Sequence, residues 1–581
     1  MKLIVQQSGK YQYVSIRESY WDSVRKKYSS RTVKNYGRLD YLQKDDPDIL
    51  EKLEAQVEVA KMAQMDDQQK QLRERVASSS VQAANSADAY ANNRVVMLGG
   101  CVYRRIWNKL GMQRKCRDLI KGTNIAFNFP DAVFYMVAAR ALMPDSKLAQ
   151  WKARNQFLYR AEGLDLHHLY RSVTLLHQNK QSIVTYLNRQ IAKNYNRTVT
   201  AVLYDVTTFA FESQEKDELR NFGFSKDCKV NQTQVVMGLL IDDQGVPIDY
   251  ELYSGNTSEF STMVPILKKL KKEYGIGRVI VAADRGLNSG KNLLDIKDLG
   301  MDYVIAYRLK GSGTDIRKTI EDPEGWHSYA APASTRTDVS RYKITTETRS
   351  VKTVDADGRT CYKEVVSKLL INYSARRARK DAADRQRLID KAQRYAENPS
   401  LLKSDMRRGG KSYLKISSDS MQAEVDVDRI RKAEFFDGYY GIVYSDENMT
   451  PDQVLSVHHS LWQIEESFRI SKSLLEARPC FHWKDPRIRG HFVICYLALV
   501  IHRLLERELA DHGIHLSAEQ IVDSLSAAQL TEAKLNDGQA VYLRANIDES
   551  FEKIADTLGL GRLPRIANAA QIKHALKLKE L

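Results

Sequence analysis

The sequence predicts an α/β protein in which a mixed-sheet core is interrupted by a long β-rich insertion and preceded by a mainly helical region. Three observations carry this. Two apolar, β-branched runs, at 198–208 and 278–286, each hold one Asp near the end, as a buried strand presenting a carboxylate would. Between them lie a strand, a turn at Asp242-Asp243-Gln244-Gly245 and a second strand, then a helically spaced stretch at 261–273. A helix near 289–298 and a strand at 303–307 complete the series, and an amphipathic stretch at 460–472 follows only after a polar segment of well over a hundred residues.

The elements divide the 581 residues into more than one domain, since roughly 150 residues is usual for one. Residues 1–45 alternate like the strands of a small β module, with aromatic, β-branched and basic residues interleaved. Such a sheet either lies on a phosphate backbone or is an appendage with a solvated basic face. Residues 46–91 are polar and helix-favouring and read as a linker helix. Residues 92–196 have helical spacing with two basic clusters, one around Arg104 and Arg105, the other formed by Lys147, Lys152, Arg154 and Arg160. They form either a DNA-end-binding region or a plain helical domain. The core occupies 197–309 and resumes at 451–510, with the insertion at 310–450 and a helical region at 511–581. Within the insertion a strongly basic helix carries Arg376, Arg377 and Arg379, and either follows a nucleic-acid backbone or is a solvated charged face.

Net charge is +16, from 89 Lys and Arg against 73 Asp and Glu, which favours a polyanionic partner. The six cysteines show no CxxC pair or Cys/His ligand spacing, arguing against a zinc module or disulfide framework and for a reducing cytoplasm. The greasiest stretch, 492–501, is about half the length of a membrane span and reads as a buried helix, so no membrane partner is expected.

The stretch from Ser460 to Lys472 reads as one helix, on which Glu465, Arg469 and Lys472 share a face beside the apolar Leu461, Ile464 and Phe468. Alone, it reads as a charged surface helix. Together with Asp205 and Asp284 on two strands, Glu465 completes a carboxylate trio able to hold two divalent cations for in-line phosphoryl displacement.

These residues resemble the bacterial insertion-sequence transposases of the DDE class, cut-and-paste enzymes with a ribonuclease H-like core. Asp205 in Leu-Tyr-Asp-Val-Thr and Asp284 in Ala-Ala-Asp-Arg-Gly match the first two acidic positions. Glu465 and Lys472 match the last two members of a Tyr, Arg, Glu, Lys signature, while His458 and Leu461 stand where the Tyr and Arg are expected. The resemblance implies Asp205, Asp284 and Glu465 as catalytic and metal-binding residues for two Mg²⁺ ions, with Mn²⁺ able to substitute. It implies a protein that binds terminal inverted repeats and target DNA, cuts and transfers strands, and assembles as a homodimer or larger synaptic complex on bacterial, nucleoid-associated DNA. Lys472 is the implied phosphate contact; Arg469 or Arg308 would replace the missing arginine, and His458 could still donate to a phosphate. Ser225, Lys226 and Asn256 lie in loops that either touch DNA or only form turns, and Trp326 is the insertion's one tryptophan, a candidate base stacker. A DNA-binding repressor without catalysis and a nuclease that cuts without joining are the alternatives.

Overall fold

The computed structural model describes the chain except residues 1, 23–26, 84–93, 159–162, 213, 224–231, 275–278, 312–313, 330–339, 355–357, 399–409, 417–422, 479, 481, 536–538 and 579–581. It divides into two compact units. The larger comprises residues 102–155 and 159–526, the smaller 1–101, 156–158 and 527–581.

The larger unit is built on nine strands: β1 (Ala201–Ala210), β2 (Gln234–Asp242), β3 (Pro247–Ser254), β4 (Ile280–Ala283), β5 (Asp302–Tyr307), β6 (His327–Tyr329), β7 (Ser340–Val354), β8 (Thr360–Ser374) and β9 (Tyr439–Tyr444). They form one sheet in the order β6-β7-β8-β9-β5-β4-β1-β2-β3. Strands β1, β2 and β3 pair antiparallel, whereas β4 and β5 add parallel to β1. An antiparallel meander continued by two parallel strands is the ribonuclease H-like arrangement expected of the core. The insertion does not make a sheet apart from this core: β9 pairs antiparallel with β5, and β8, β7 and β6 continue outward. Pairing of β5 with a strand more than 130 residues downstream leaves no local sequence signal, which is why the insertion read as a separate body.

Helices about the sheet include α1 (Phe129–Leu142), α2 (Leu166–Gln178), α3 (Met263–Tyr274), α4 (Gly290–Asp298), α5 (Ala375–Glu397), α6 (Pro451–His459), α7 (Trp462–Arg469) and α8 (Asp485–Asp511). One face of β1 packs Val202, Tyr204 and Val206 into a core with Ile266, Leu267 and Leu270 of α3 and Leu293 and Ile296 of α4. On the other face Phe209 meets Phe492 of α8 edge-on at 5.1 Å, and Tyr496 Oη donates to the Ile248 carbonyl of β3 at 2.9 Å. Helix α8 contains the apolar stretch expected to be buried, and it is buried at 17 positions in this unit. By length and composition it could cross a membrane, but its place is the interior of this fold.

Helices α1 and α2 pack against α8, so the residues between 92 and 196 that belong to this unit support the core. Two of the cations expected on a DNA-facing surface are inside. Arg104 is 6% exposed, 3.4 Å from Asp131 and laid over the Phe134 ring, and Lys147 is 3% exposed and donates to Gln150. Arg104 therefore has a structural role, because it falls on the buried side of its helix with Cys101 and Trp107. Arg105 is on the outer side, and Arg160 lies outside the described residues.

In the smaller unit, Lys2–Ser8, Tyr11–Asp22 and Lys27–Arg38 form a three-stranded antiparallel sheet, as expected, followed by the helix Ile49–Ala83. The C-terminal region departs from the all-helical expectation: Gln529–Lys534, Ala540–Asn546 and Ile566–Asn568 join Arg94–Met97 in a four-stranded sheet. These strands are short, and the Arg94–Met97 partner lies over 400 residues upstream, so period-2 alternation had too little length to register.

Candidate active site

Strand β1 is buried at nine of its ten positions, and the half-open one is Asp205. Alternation places Asp205 on the same face as Phe209, toward α7 and α8. Its Oδ1 accepts the Val206 N–H at 2.7 Å. Parallel pairing sets Tyr204 beside Ala283, the last residue of β4; Asp284 follows it directly, whereas Asp205 comes next in β1, which runs on to Ala210. Asp284 is exposed and opens a single 3₁₀ turn, Arg285–Leu287. The loop holding Gly255 and Asn256 borders both strand ends, lining with Val206, Thr208 and Gly286 a cavity of about 340 Å³. A Cβ on Gly255 would lie 2.1 Å from the Gln234 carbonyl, so only glycine lets this loop approach β2 so closely.

Helix α7 buries Ile464, Ser467 and Phe468 and packs on β1, leaving Glu465 exposed. Glu465 and Asp284 line one cavity of about 750 Å³. Its walls carry His458, Arg308 and Arg377, all singled out from sequence, and also Arg285, Lys310 and Tyr440, which were not. Arg285 directly follows Asp284 and could have been found there; Tyr440 has no local signal.

The stretch from Ser460 to Lys472 is not one helix. Helix α6 ends at His459, Ser460 and Leu461 form the joint, and α7 passes at Ile470–Leu474 into a π turn. The wider turn breaks the phase that would have stacked Lys472 directly above Glu465. Lys472 instead directs its Nζ to 5.8 Å from the Phe209 ring, at the end of the strand that holds Asp205. Arg469 also leaves the Glu465 face. Its guanidinium forks onto Glu466 at 2.8 and 2.6 Å, because i to i+3 spacing suits that pair. Leu461 caps α7 by position only.

His458 stacks on Tyr440 (centroids 5.8 Å, planes 24° apart), and Arg377 lies over the same phenol ring at 4.8 Å. Burial, helped by Arg377 and opposed by Asp284, pushes the His458 pKa down to about 4. Its ring is therefore neutral at pH 7. Burial and the nearby Arg308 and Arg385 likewise push the Lys310 ammonium down, the response of a cation crowded by its own kind. Arg376 and Arg379 are exposed in the first turns of α5. Trp326 is engaged elsewhere, with Arg341 over its ring at 4.6 Å and its Nε1 donating to the Asp322 carbonyl. Ser225 and Lys226 lie outside the described residues.

Residues 198–501, just over half of the chain, match the family described as the transposase DDE domain. The chain belongs to that family. No curated protein matches this transposase. Among solved structures it is similar to the piggyBac transposase, seen by cryo-EM in a synaptic complex with hairpin DNA. The identity is 8% and the TM-score 0.34, over 73% of this chain and 78% of that one. Among the described residues, one group of three His, Cys, Asp or Glu side chains brings all its donor atoms within 4.8 Å: Asp165, His167 and His168, at the surface entrance to α2 of the transposase.

Proposed function

We propose that this transposase binds the terminal inverted repeats of its element and cuts and joins DNA by metal-assisted phosphoryl transfer at Asp205, Asp284 and Glu465. The observation that carries the reading is the single half-open position on an otherwise buried strand, occupied by Asp205, which follows the last parallel pair, Tyr204 with Ala283, as Asp284 does on the neighbouring strand.

The donor set fits hard divalent cations. It is three carboxylates without Cys or His, on rigid supports, which suits Mg²⁺ or Mn²⁺ and not zinc. When bound, the two ions would activate the attacking hydroxyl and stabilise the leaving oxygen. The protein's own part is positional. Strands β1 and β4 fix the two aspartates, and α7, packed on β1, fixes Glu465. The wall of Arg285, Arg308, Lys310 and Arg377 would hold the phosphates of the strand being cut. Lys472 is suited to a phosphate nearer Asp205. Outward cations of α5, Arg376 and Arg379, and the exposed Arg105 would add sequence-independent affinity.

The test is incubation with a labelled duplex copied from DNA flanking the reading frame, with Mg²⁺ and then with EDTA. Metal-dependent nicking at the end followed by joining to a second duplex is expected. Binding without nicking would make the protein a repressor, and nicking without joining a nuclease.

A further inference from the structure

The sheet of residues 2–38 stands apart from the rest of its unit. On one face, Leu3, Val14 and Tyr36 pack with Leu39, Leu42, Ile49, Leu50 and Leu53. Further along the helix Ile49–Ala83, Leu72 joins Leu535 and Val541 of the four-stranded sheet. From Leu53 to Leu72 is nineteen residues, so the helix is a strut of about 28 Å between the two sheets. Val59 and Met62, midway along, are 67% and 64% exposed.

The other face of the small sheet carries no apolar cluster among the described residues, although Ser15 in its middle row is buried. The pairing register assigns it Lys2, Arg17 and Thr32 in one row, Ile4, Ser15 and Asn35 in the next, and Gln6, Tyr13 and Arg38 in a third. Arg17 Nη2 donates to Gln6 Oε1 at 2.9 Å, two rows away, while its shielded Nε has no partner. Arg38 lies over the Tyr11 ring at 3.5 Å. Residues 1–38 contain nine Lys and Arg against two Asp and Glu.

We infer that this face enters the major groove of duplex DNA and reads base edges through Gln6, Arg17 and Asn35. Three strands about 4.8 Å apart span roughly 10 Å, which the major groove, about 12 Å wide, admits. Arg, Gln and Asn are the side chains that pair bidentately with guanine and adenine there, and the surplus positive charge complements the flanking phosphates. A surface that bound only phosphates would need cations alone, whereas this face also offers two exposed amides, Gln6 and Asn35. The inference rests on the proposed transposase activity and assigns the sequence reading to a face remote along the chain from the carboxylates.

The experiment uses the full-length protein and two duplexes, the terminal repeat next to the reading frame and its scrambled sequence, with guanine-N7 methylation interference on the first. Gln6→Ala, Arg17→Ala and Asn35→Ala, singly and together, are compared with wild type. Each single variant is expected to lose about tenfold or more in preference for the repeat, with one guanine ceasing to interfere for Arg17→Ala. Affinity for the scrambled duplex stays within about twofold, which also shows that the variants are folded. Unchanged preference overturns the inference while leaving the transposase reading intact. Equal weakening on both duplexes, with a shallower salt dependence, also overturns it, because the face would then touch only phosphates. Wild type that binds neither duplex overturns both, and binding to phosphatidylserine vesicles in place of DNA would identify a lipid surface as the occupant.

Discussion

Replacing Arg503 with methionine tests whether the carboxylate on α7 is held from behind by α8. The Arg503 guanidinium donates from Nη2 to the Gln463 carbonyl and to Ser467 Oγ, both at 2.9 Å, and from Nη1 to Glu506 at 2.7 Å. Its side chain is 10% exposed. Methionine keeps much of the length and none of the donors. Ser467 Oγ still has the Gln463 carbonyl at 2.8 Å, whereas Glu506 keeps only His502 Nε2, 3.6 Å away and beyond hydrogen-bond reach. A charge-assisted bond is worth about 1.5–3 kcal/mol net, and with this partial replacement the whole change should cost about 3 kcal/mol of folding stability. Gln463 and Ser467 bracket Glu465, so loosening them shifts the carboxylate relative to the strands. Misplacement of that kind costs tenfold or more in rate. Urea unfolding and single-turnover nicking of the terminal duplex measure the two effects, with end binding expected to stay at the wild-type level. Arg503→Lys, which keeps the charge and loses the fork, should fall between. A methionine variant within about 0.5 kcal/mol of wild type that nicks at full rate would show that α7 does not depend on this anchor.

Glu465→Gln should abolish metal-dependent nicking and leave end binding within a few-fold in a gel-shift assay; retained nicking would remove Glu465 from the metal site. Arg377→Ala should slow nicking about tenfold and lower the salt dependence of binding by about one phosphate contact. It should leave thermal unfolding almost unchanged, since its side chain is half exposed. Gly490→Ala should cost about 3 kcal/mol or more, because its Cβ would sit 1.9 Å from the Val173 carbonyl where α8 crosses α2; an unchanged melting temperature would contradict that crossing. His482 is buried among Lys147, Arg487 and Arg140, and burial lowers its pKa to about 4 from the usual 6.5. The folded state thus binds fewer protons than the unfolded, so stability is intact above pH 6.5 and falls as the pH drops toward 4, by up to about 3 kcal/mol. His482→Asn should flatten that part of the pH–stability curve.

How much of this could be read from the sequence depended on where each signal lived. Strands β1 and β4 announced themselves through unbroken apolar, β-branched runs in which one Asp stood out, and the same contrast is the burial pattern of β1. Their register was not written locally, because β2, β3 and α3 lie between the two strands in sequence and only the folded sheet sets Tyr204 beside Ala283. Glu465 was different. Its helix looked like many charged surface helices, and only the resemblance selected it. The phase of that helix was misjudged because an α period was extended through residues that form a π turn. Arg104 and Lys147 looked like surface cations because charge in a sequence suggests solvent, whereas their helices turn them inward against Asp131 and Gln150.

The cleft wall explains why His458 and Leu461 could depart from the family's signature. His458 is in the last turn of α6 and Leu461 is at the joint with α7, where α6 faces β9 and α5 across the cavity. Tyr440, on β9, lays its phenol against the His458 ring, and Arg377, in the first turn of α5, covers the same phenol. A phenol and a guanidinium therefore reach the wall beside Asp284 from the insertion, although neither is in the helix where the signature has them. Because His458 is neutral, the cations of this wall are Arg285 and Arg308 from the core and Lys310 and Arg377 from the insertion, and not a group of α6. Such a transfer makes the insertion part of the site: with β9 paired to β5, the strand that leads to Arg308, a shift of α5 moves the cations that face Glu465.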